Sequence, residues 1–376
     1  MKTYRSVTKN LALSSLFLAW SLMDSGAADD TALKDAFQGH FLVGAALNSA
    51  QFSGQNFGEI AVIEKQFNTI TPENVLKWEA VHPQPGHFDF DAGDKYVDFG
   101  VKHNMFTIGH NLVWHSQTPA WVFKDDKGEP LTRDALLARM RDHISTVVGR
   151  YKGRIKGWDV VNEALNEDGT MRKSSWRKII GDDYVLKAFE FAHEADPDAE
   201  LYYNDYSIEN GPKRAGAIAL IKSLQAGGAH ISGIGVQGHY DMSFASTNLL
   251  DEALRDFSQL GIKIMITELD VDVLPRAGRA QSADVSDRAR MRAGMNPYTN
   301  GLPADMQEKL AARYADLFKI FLQHKAISRV TFWGVTDANS WRNDYPVPGR
   351  TDYPLLFDRQ CQPKPAFAAV IKTASP

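Results

Sequence analysis

The amino-acid sequence predicts an α/β protein folded as a single (β/α)8 TIM barrel, and three observations support this fold class. After residue 40, eight short apolar runs alternate with segments of helical period. The runs are continuously apolar, as expected of parallel strands that are covered on both faces. Most runs end directly in polar or aromatic side chains, and in such barrels the residues that carry chemistry collect at the carboxyl-terminal ends of the strands.

The predicted strands and helices follow one another in chain order. We assign strands to 41–47, 67–71, 105–109, 155–161, 200–203, 233–236, 263–267 and 329–332, and helices to 60–67, 95–103, 133–151, 184–194, 212–225, 249–260, 306–325 and 365–372. A doubly wound open sheet is the competing topology. It usually carries a glycine-rich phosphate turn after its first strand, and the segment 44–48 lacks one. One connection, 275–302, is long and rich in arginine without a helical stripe, and it is predicted to be a solvated insertion.

The amino terminus differs in composition from the rest of the chain. Lys2, Arg5 and Lys9 precede an apolar stretch at 11–23 that is too short to cross a bilayer, and small residues follow it. We therefore expect a signal peptide at 1–27, cleaved near Ala27 or Ala28, and a secreted or periplasmic catalytic barrel at 28–376. An uncleaved membrane anchor is the alternative interpretation.

The bulk composition excludes some classes of protein. The formal net charge of -4 offers no basic field for nucleic acid. Cys361 is the single cysteine, so no intrachain disulfide can form. No linker rich in serine, threonine or proline divides the chain, so we expect one domain, a monomer, without membrane association after signal cleavage.

The side chains at the strand ends suit a neutral, polyhydroxylated substrate. Glu163 and Glu268 follow the fourth and seventh strands, which would face one another across the mouth of a barrel. Paired carboxylates are the usual machinery for hydrolysing a glycosidic bond, although sequence spacing does not decide between retention and inversion. The other strand-end residues are mostly amides, imidazoles and large rings, namely Glu73, Asn74 and Lys77; His110, Trp114 and His115; Asn162; Asn204, Asp205 and Tyr206; Gln237 and His239; Asp270; and Trp333 and Trp341.

A metal site is the alternative use of the histidines. His110 and His115 are five residues apart, whereas metal sites usually use a His-x-His pair or a His-x-x-x-His helix. The sequence also lacks a glycine-rich phosphate cradle, a serine-centred elbow and a nucleotide fingerprint. We therefore expect neither a metal nor an organic cofactor.

Six segments in order resemble glycoside hydrolase family 10, the endo-β-1,4-xylanases. The resemblance covers 41–372 and rests on TPENVLKWE at 71–79, GHNLVWHSQ at 109–117, WDVVNEA at 158–164, VQGH at 236–239, ITELD at 266–270, and WGVTD at 333–337 with Ser340 and Trp341. Each segment is moderately specific by itself. Their joint occurrence at the ends of the predicted strands identifies the chain as a member of this family.

The resemblance implies a retaining double displacement on xylan and xylo-oligosaccharides. Glu268 would be the nucleophile and Glu163 the acid/base, with Asn162 on the sugar 2-hydroxyl. His239 and Asp270 would keep the nucleophile ionised and aligned. The remaining residues would bind substrate: Glu73, Asn74 and Lys77 on the non-reducing side, His110 and Gln237 near the cleaved bond, and Trp333 and Trp341 as the aromatic floor and wall. Tyr206, Trp114 and His115 would lie around them. For Trp114 and His115, the alternative is that they support other site residues and do not contact the substrate.

Two rival functions remain open from the sequence. A β-1,4-glucanase or mixed-specificity hydrolase would differ in whether a hydroxymethyl group at the sugar C5 fits beside Trp333 and Trp341. A catalytically silent carbohydrate-binding barrel would lack at least one of the two glutamates, and both are present.

Overall fold

The computed structural model describes residues 1, 31–276, 283–286 and 288–374. Apart from Met1, the expected signal peptide lies outside these residues. The chain from Thr31 onward forms one unit with a continuous apolar core. Within the described ranges, no helix is long and apolar enough to cross a membrane.

Eight parallel strands close into a barrel, as the sequence predicts. β1 to β6 pair in chain order, β6 pairs with β8, and β9 joins β8 to β1. β7 is a short addition beside the end of β8. The strand bounds are Leu42–Leu47 (β1), Thr69–Pro72 (β2), Phe106–Trp114 (β3), Gly157–Asn162 (β4), Glu200–Asp205 (β5), Gly233–Val236 (β6), His239–Asp241 (β7), Lys263–Asp272 (β8) and Ile327–Phe332 (β9).

Helices surround the barrel in the alternation that the sequence predicts. The described α-helices are Leu33–Ala36 (α1), Ser49–Phe52 (α2), Phe57–Gln66 (α3), Trp78–Val81 (α4), Asp91–Lys102 (α5), Arg133–Arg150 (α6), Ser175–Ile180 (α7), Tyr184–Ala195 (α8), Gly211–Ala226 (α9), Thr247–Ser258 (α10), Ala304–Gln323 (α11) and Pro365–Thr373 (α12). Short 3-10 turns span Ala120–Phe123, Asp337–Asn339 and Trp341–Asn343.

Local side-chain chemistry explains where several helices begin. Thr132 caps α6 by accepting a hydrogen bond from the backbone N–H of Ala135 at 3.3 Å, and Ser246 caps α10 in the same way. Such caps satisfy a donor that the first helical turn leaves without an intrahelical partner. Close strand packing explains one glycine, because a Cβ on Gly109 would lie 2.1 Å from the indole of Trp158.

The structure differs from the sequence prediction in the length of two strands. β3 continues to Trp114, and β8 continues to Asp272, so Glu268 and Asp270 lie inside β8 rather than past its end. β8 is longer because its last residues pair with β7, which the sequence does not signal. The described part of 275–302 contains neither helix nor strand.

Candidate active site

Glu163 stands directly after β4 in an uncommon backbone conformation. Its φ of 58° lies in the left-handed region, which non-glycine residues rarely adopt and which often marks functional positions. The Glu163 backbone N–H donates to the Asn204 carbonyl oxygen at 2.9 Å. The Arg172 Nε donates to the Glu163 carbonyl oxygen at 3.2 Å. The backbone on both sides of this residue is therefore held, which directs its carboxyl group inward.

The Glu163 carboxyl group is buried and has hydrogen-bond donors on both oxygens. The Trp114 indole donates to Oε2 at 2.8 Å, while Gln237 Nε2 and Asn162 Nδ2 donate to Oε1 at 3.0 and 3.2 Å. Burial raises the pKa of Glu163 to about 7, with a further rise from the Asp205 charge and a smaller one from Glu268. The hydrogen bonds oppose this rise. Near neutral pH, Glu163 can therefore both donate and accept a proton.

Glu268, in β8, is equally buried, but its pKa is shifted in the opposite direction. Asn204 Nδ2 donates to its Oε1 at 2.7 Å, and His239 Nε2 lies 3.1 Å from its Oε2. Burial alone would raise the pKa of Glu268, but the hydrogen bond from His239, the charges of His110 and His239, and the hydrogen bond from Asn204 together hold the pKa below its ordinary value. Near neutral pH, where part of Glu163 is still protonated, Glu268 is therefore a carboxylate.

His239 lies between two carboxylates. Its Nδ1 is 3.0 Å from Asp270 Oδ2, and its Nε2 contacts Glu268. Burial opposes a charged imidazole, but Asp270 and Glu268 outweigh it and raise the pKa of His239 to about 9. Both ring nitrogens are then donors, which fixes the orientation of the ring.

Asp270 is itself held by residues that follow β9. Trp341 Nε1 donates to Asp270 Oδ2 at 2.6 Å, and Arg342 donates to Oδ1 through Nη2 at 2.9 Å and Nε at 3.1 Å. Burial would raise the pKa of Asp270, but Arg342 and His239 lower it to about 2. The charges of Arg342, Asp270 and protonated His239 therefore sum to one positive charge, which lies beside the Glu268 carboxylate.

Three amide side chains connect the two glutamates. Asn204 Nδ2 donates to Asn162 Oδ1 at 2.9 Å as well as to Glu268, and Gln237 Nε2 reaches Asn162 Oδ1 at 3.4 Å as well as Glu163. Thr267 Oγ1 donates to Asn204 Oδ1 at 2.6 Å and so orients that amide. The two carboxyl groups therefore lie at the same end of the barrel, joined by a continuous set of hydrogen bonds.

A buried lysine dominates the side of the site formed by the loop after β2. Lys77 Nζ donates to Asn74 Oδ1 at 2.9 Å and to Gln117 Oε1 at 2.8 Å, and it lies 5.0 Å from the centre of the Trp114 ring. Burial lowers the pKa of Lys77, opposed by the charges of Glu268, Glu73 and Glu163. Because the Trp114 ring that Lys77 approaches donates its indole hydrogen bond to Glu163, this side adjoins the paired glutamates.

Glu73 lies beside this lysine and is strongly perturbed. Desolvation raises the pKa of Glu73 to about 7, which the Lys77 charge partly opposes. The Glu73 side chain is only half-buried, so its desolvation comes from the crowding of neighbouring groups rather than from complete enclosure. Its carboxyl group is available to accept or donate hydrogen bonds to a ligand near neutral pH.

His110, in β3, and Trp333, directly after β9, form another part of the site. His110 Nδ1 lies 2.9 Å from Asp159 Oδ2, which orients the imidazole. The Trp333 ring packs edge-on against His110 at 5.3 Å and against His239 at 6.3 Å. Trp341 stacks on Tyr345 at 4.5 Å. The large rings that the sequence predicts for this site therefore lie around the imidazoles of the carboxylate network.

Tyr206 and His115 lie next to the segment from Glu163 to Arg172, called here the acid/base loop, rather than beside Glu268. The Tyr206 hydroxyl accepts a hydrogen bond from Arg172 Nη2 at 3.0 Å, and the Lys213 Nζ lies 3.4 Å from the centre of its ring. Tyr206 is 2% exposed, so most of its ring is covered by protein. Burial lowers the pKa of His115 to about 4, so that imidazole is neutral at ordinary pH.

The described residues include no group of three or more histidine, cysteine, aspartate or glutamate side chains arranged to hold a metal ion. His110 and His239 instead face separate carboxylates, Asp159 and Asp270. His115 is oriented differently, and its Nδ1 is buried without a hydrogen-bond partner among the described residues.

Sequence reasoning missed several residues that the structure brings into the site. Arg342, Gln117 and Arg172 carry no role in the sequence prediction, yet each donates or accepts hydrogen bonds with a predicted site residue. Gln117 and Arg342 lie within or next to the motif segments, so their position was a usable signal. Arg172 stands nine residues after Glu163 with no such signal.

Comparison with known proteins assigns the family. The family model described as glycosyl hydrolase family 10 matches residues 32–373. Endo-1,4-β-xylanase A of Xylanibacter ruminicola is 43% identical over 347 residues, which cover 92% of this chain and 94% of that protein. A solved endoxylanase of the same family, retrieved from a sugarcane soil metagenome, superposes with a TM-score of 0.87 at 44% identity and covers 92% of this chain and 100% of its own.

A further solved structure, a mutant in complex with xylotriose, superposes with a TM-score of 0.81 at 36% identity and covers 91% of this chain and 99% of its own. The family match extends over nearly the whole described barrel and includes both buried glutamates. The resemblance found in the motifs is therefore confirmed. This chain is a glycoside hydrolase and belongs to glycosyl hydrolase family 10.

Proposed function

We propose that this protein is an endo-1,4-β-xylanase that hydrolyses internal β-1,4-xylosidic bonds of xylan with retention of the anomeric configuration. The observation that carries the proposal is the opposite perturbation of two joined carboxyl groups. The pKa of Glu163 is raised to about 7, while that of Glu268 is lowered. Two carboxyl groups with opposite shifts are suited to the two roles that glycosidic cleavage requires.

The proposed reaction has two steps. In the first, a Glu268 carboxylate oxygen bonds to the anomeric carbon while the Glu163 proton passes to the departing glycosidic oxygen. In the second, the Glu163 carboxylate takes a proton from water, whose oxygen attacks the anomeric carbon and releases Glu268. Asn162 would bind the 2-hydroxyl of the cleaved sugar. Because the hydrogen bond from Asn204 already orients the Asn162 amide, this side chain loses little conformational freedom on binding.

Substrate binding would divide along the rim of the barrel. Glu73, Asn74 and Lys77 would hold the sugars on the non-reducing side, and His110 and Gln237 would contact the sugar at the cleaved bond. Trp333 and Trp341 would pack against the sugar faces, since aromatic rings combine a large apolar face with a fixed shape. The relative solved with xylotriose supports a xylo-oligosaccharide as the ligand. Tyr206, Trp114 and His115 would complete the substrate-binding surface, with Trp114 also supporting the Glu163 carboxyl group through its hydrogen bond.

We also propose that the barrel is exported and acts as a monomer. The basic, apolar and small-residue segments at 1–27 support export. Fractionation of cells that express the full chain would locate it. Amino-terminal sequencing of the exported protein is expected to begin at residue 28 or 29, and retention of residues 1–27 on a membrane-bound product would contradict export.

The decisive experiment combines stereochemistry with a nucleophile variant. Proton NMR of the first products from xylohexaose is expected to show the β-anomer, and an α-anomer would contradict the double displacement. Glu268→Gln is expected to abolish turnover while calorimetry still detects binding of xylohexaose; full activity would refute the role. Glu194→Gln, an exposed change on α8, is the matched control. A higher rate on carboxymethylcellulose than on xylan would favour the glucanase alternative.

A further inference from the structure

The insertion that follows β8 reaches the loop of the acid/base residue through one buried ion pair. Arg172 Nη1 donates to Asp284 Oδ2 at 2.9 Å, and the two residues are 112 positions apart in the chain. Both side chains are largely covered, with 18% and 14% of their surfaces exposed. Asp284 therefore ties the described part of the insertion at 283–286 to the segment that follows Glu163.

Arg172 uses its remaining donors on the acid/base loop itself. Its Nε donates to the Glu163 carbonyl oxygen at 3.2 Å, and its Nη2 donates to the Leu165 carbonyl oxygen at 3.4 Å and to the Tyr206 hydroxyl at 3.0 Å. The planar guanidinium presents its donors in a fixed fork, so anchoring one end sets the direction of the others. Asp284 supplies that anchor.

Asp284 also contacts the aromatic side chains near Asp270, through its backbone carbonyl group. The Tyr345 hydroxyl donates to the Asp284 carbonyl oxygen at 2.9 Å, and Tyr345 stacks on Trp341 at 4.5 Å. Trp341 donates to Asp270, which orients His239. Asp284 thus lies between the acid/base loop and the network around the nucleophile, and it contacts each through separate atoms.

We propose that Asp284, acting through Arg172, is a positioning residue that sets the location of the Glu163 carboxyl group for proton transfer. The left-handed backbone conformation of Glu163 is uncommon for a residue with a side chain, and its carbonyl oxygen needs a fixed donor to hold it. Without the ion pair, Arg172 loses its carboxylate acceptor and keeps only the neutral oxygens of Glu163, Leu165 and Tyr206 among the acceptors described above. A displacement of about 1 Å in a catalytic group can cost about 100-fold in rate. The inference rests on the proposed acid/base role of Glu163.

The test separates proton donation from all other functions of the site. Dinitrophenyl β-xylobioside has a leaving group that departs without protonation, whereas xylotetraose needs a general acid. Asp284→Ala is expected to lower kcat/KM on xylotetraose about 10- to 100-fold and to change kcat/KM on the dinitrophenyl substrate less than about 2-fold. A matched control, Asp98→Ala, removes an exposed Arg–Asp pair between α5 and the turn after α6, and it is expected to change kcat/KM on neither substrate.

Conservative variants test the hydrogen-bond geometry. Asp284→Asn keeps an acceptor oxygen for Arg172 and is expected to retain most of the xylotetraose activity. Arg172→Lys keeps the charge but lacks the fork, and it is expected to lose nearly as much as Asp284→Ala. The Arg172→Lys result also decides the question if Asp284→Ala fails to fold.

Several results would overturn the inference. Equal losses of Asp284→Ala on both substrates would indicate a merely structural role. Unchanged activity of this variant on both substrates would show that Asp284 has no role. An Asp284→Asn variant with activity as low as that of Asp284→Ala would contradict the hydrogen-bond basis. Glu163→Ala provides the reference, with an expected loss of about 10²- to 10⁴-fold confined to xylotetraose. Equal losses on both substrates in Glu163→Ala would instead refute the proposed function.

Discussion

The hydrogen bond from Trp114 to Glu163 provides a direct test of how this site sets its proton donor. The indole N–H lies 2.8 Å from Oε2, and both side chains are buried. A donor stabilises the ionised carboxylate and therefore lowers the pKa of Glu163. Trp114→Phe removes the donor while keeping an aromatic ring, so the pKa of Glu163 should rise above its present value of about 7.

The size of the change follows from the strength of such a bond. A hydrogen bond to a charged group contributes about 1.5–3 kcal/mol, and one pKa unit corresponds to about 1.4 kcal/mol. The complete loss would thus raise the pKa of Glu163 by about one to two units. Gln237 and Asn162 still donate to Oε1, and relaxation of the site reduces the change, so about one unit is expected.

The assay is the pH dependence of kcat/KM on xylotetraose between about pH 4 and 10. In the proposed mechanism, protonated Glu163 is the active form in the first step. A higher pKa should then keep the enzyme active to higher pH, so the basic limb of the profile should move to higher pH. The height of the profile depends on substrate binding as well, whereas the position of the limb reports ionisation. A carbon-13 NMR titration of the Glu163 carboxyl group measures the same shift directly.

Trp121→Phe is the matched control for this variant. The Trp121 indole donates to the Pro83 carbonyl oxygen at 3.0 Å and has no hydrogen bond to either catalytic glutamate. It should leave both limbs of the profile unchanged. A basic limb that stays in place or moves downward in Trp114→Phe would refute the argument that the indole stabilises the Glu163 carboxylate.

Two further predictions follow from buried charges. The pKa of His239 is raised to about 9, so its stabilising effect is fully present below about pH 6.5 and is lost as pH rises through 9. Denaturant unfolding of wild type should show a fall of about 3 kcal/mol over this range beyond that of His239→Gln, and parallel curves would contradict it. Gln117→Leu removes one of the two side-chain acceptors described for Lys77 and should raise KM for xylotriose about 10-fold with a nearly constant kcat. A fall confined to kcat would contradict this role.

The residues that we propose to carry the chemistry stand out in the sequence because they lie next to regular local patterns. Apolar runs and helical periods predict the order of strands and helices, and Glu163 and Glu268 each follow or end such a run. Strand ends were less certain, since β8 extends to Asp272 through its pairing with β7. Such pairing joins distant segments and leaves no local trace in the sequence.

The sequence alone determined the barrel, the rim that carries the site, and the two acidic residues on it, because hydrophobic periodicity and short motifs are local properties. The tertiary structure decided which protonation state each acid favours. Arg342 reaches Asp270 from 72 positions away, and Asp284 reaches Arg172 from 112 positions away. Burial and charge contacts of this kind arise only after the strands close into a barrel and the loops meet above it, so the opposite pKa shifts of two identical side chains are a property of the fold.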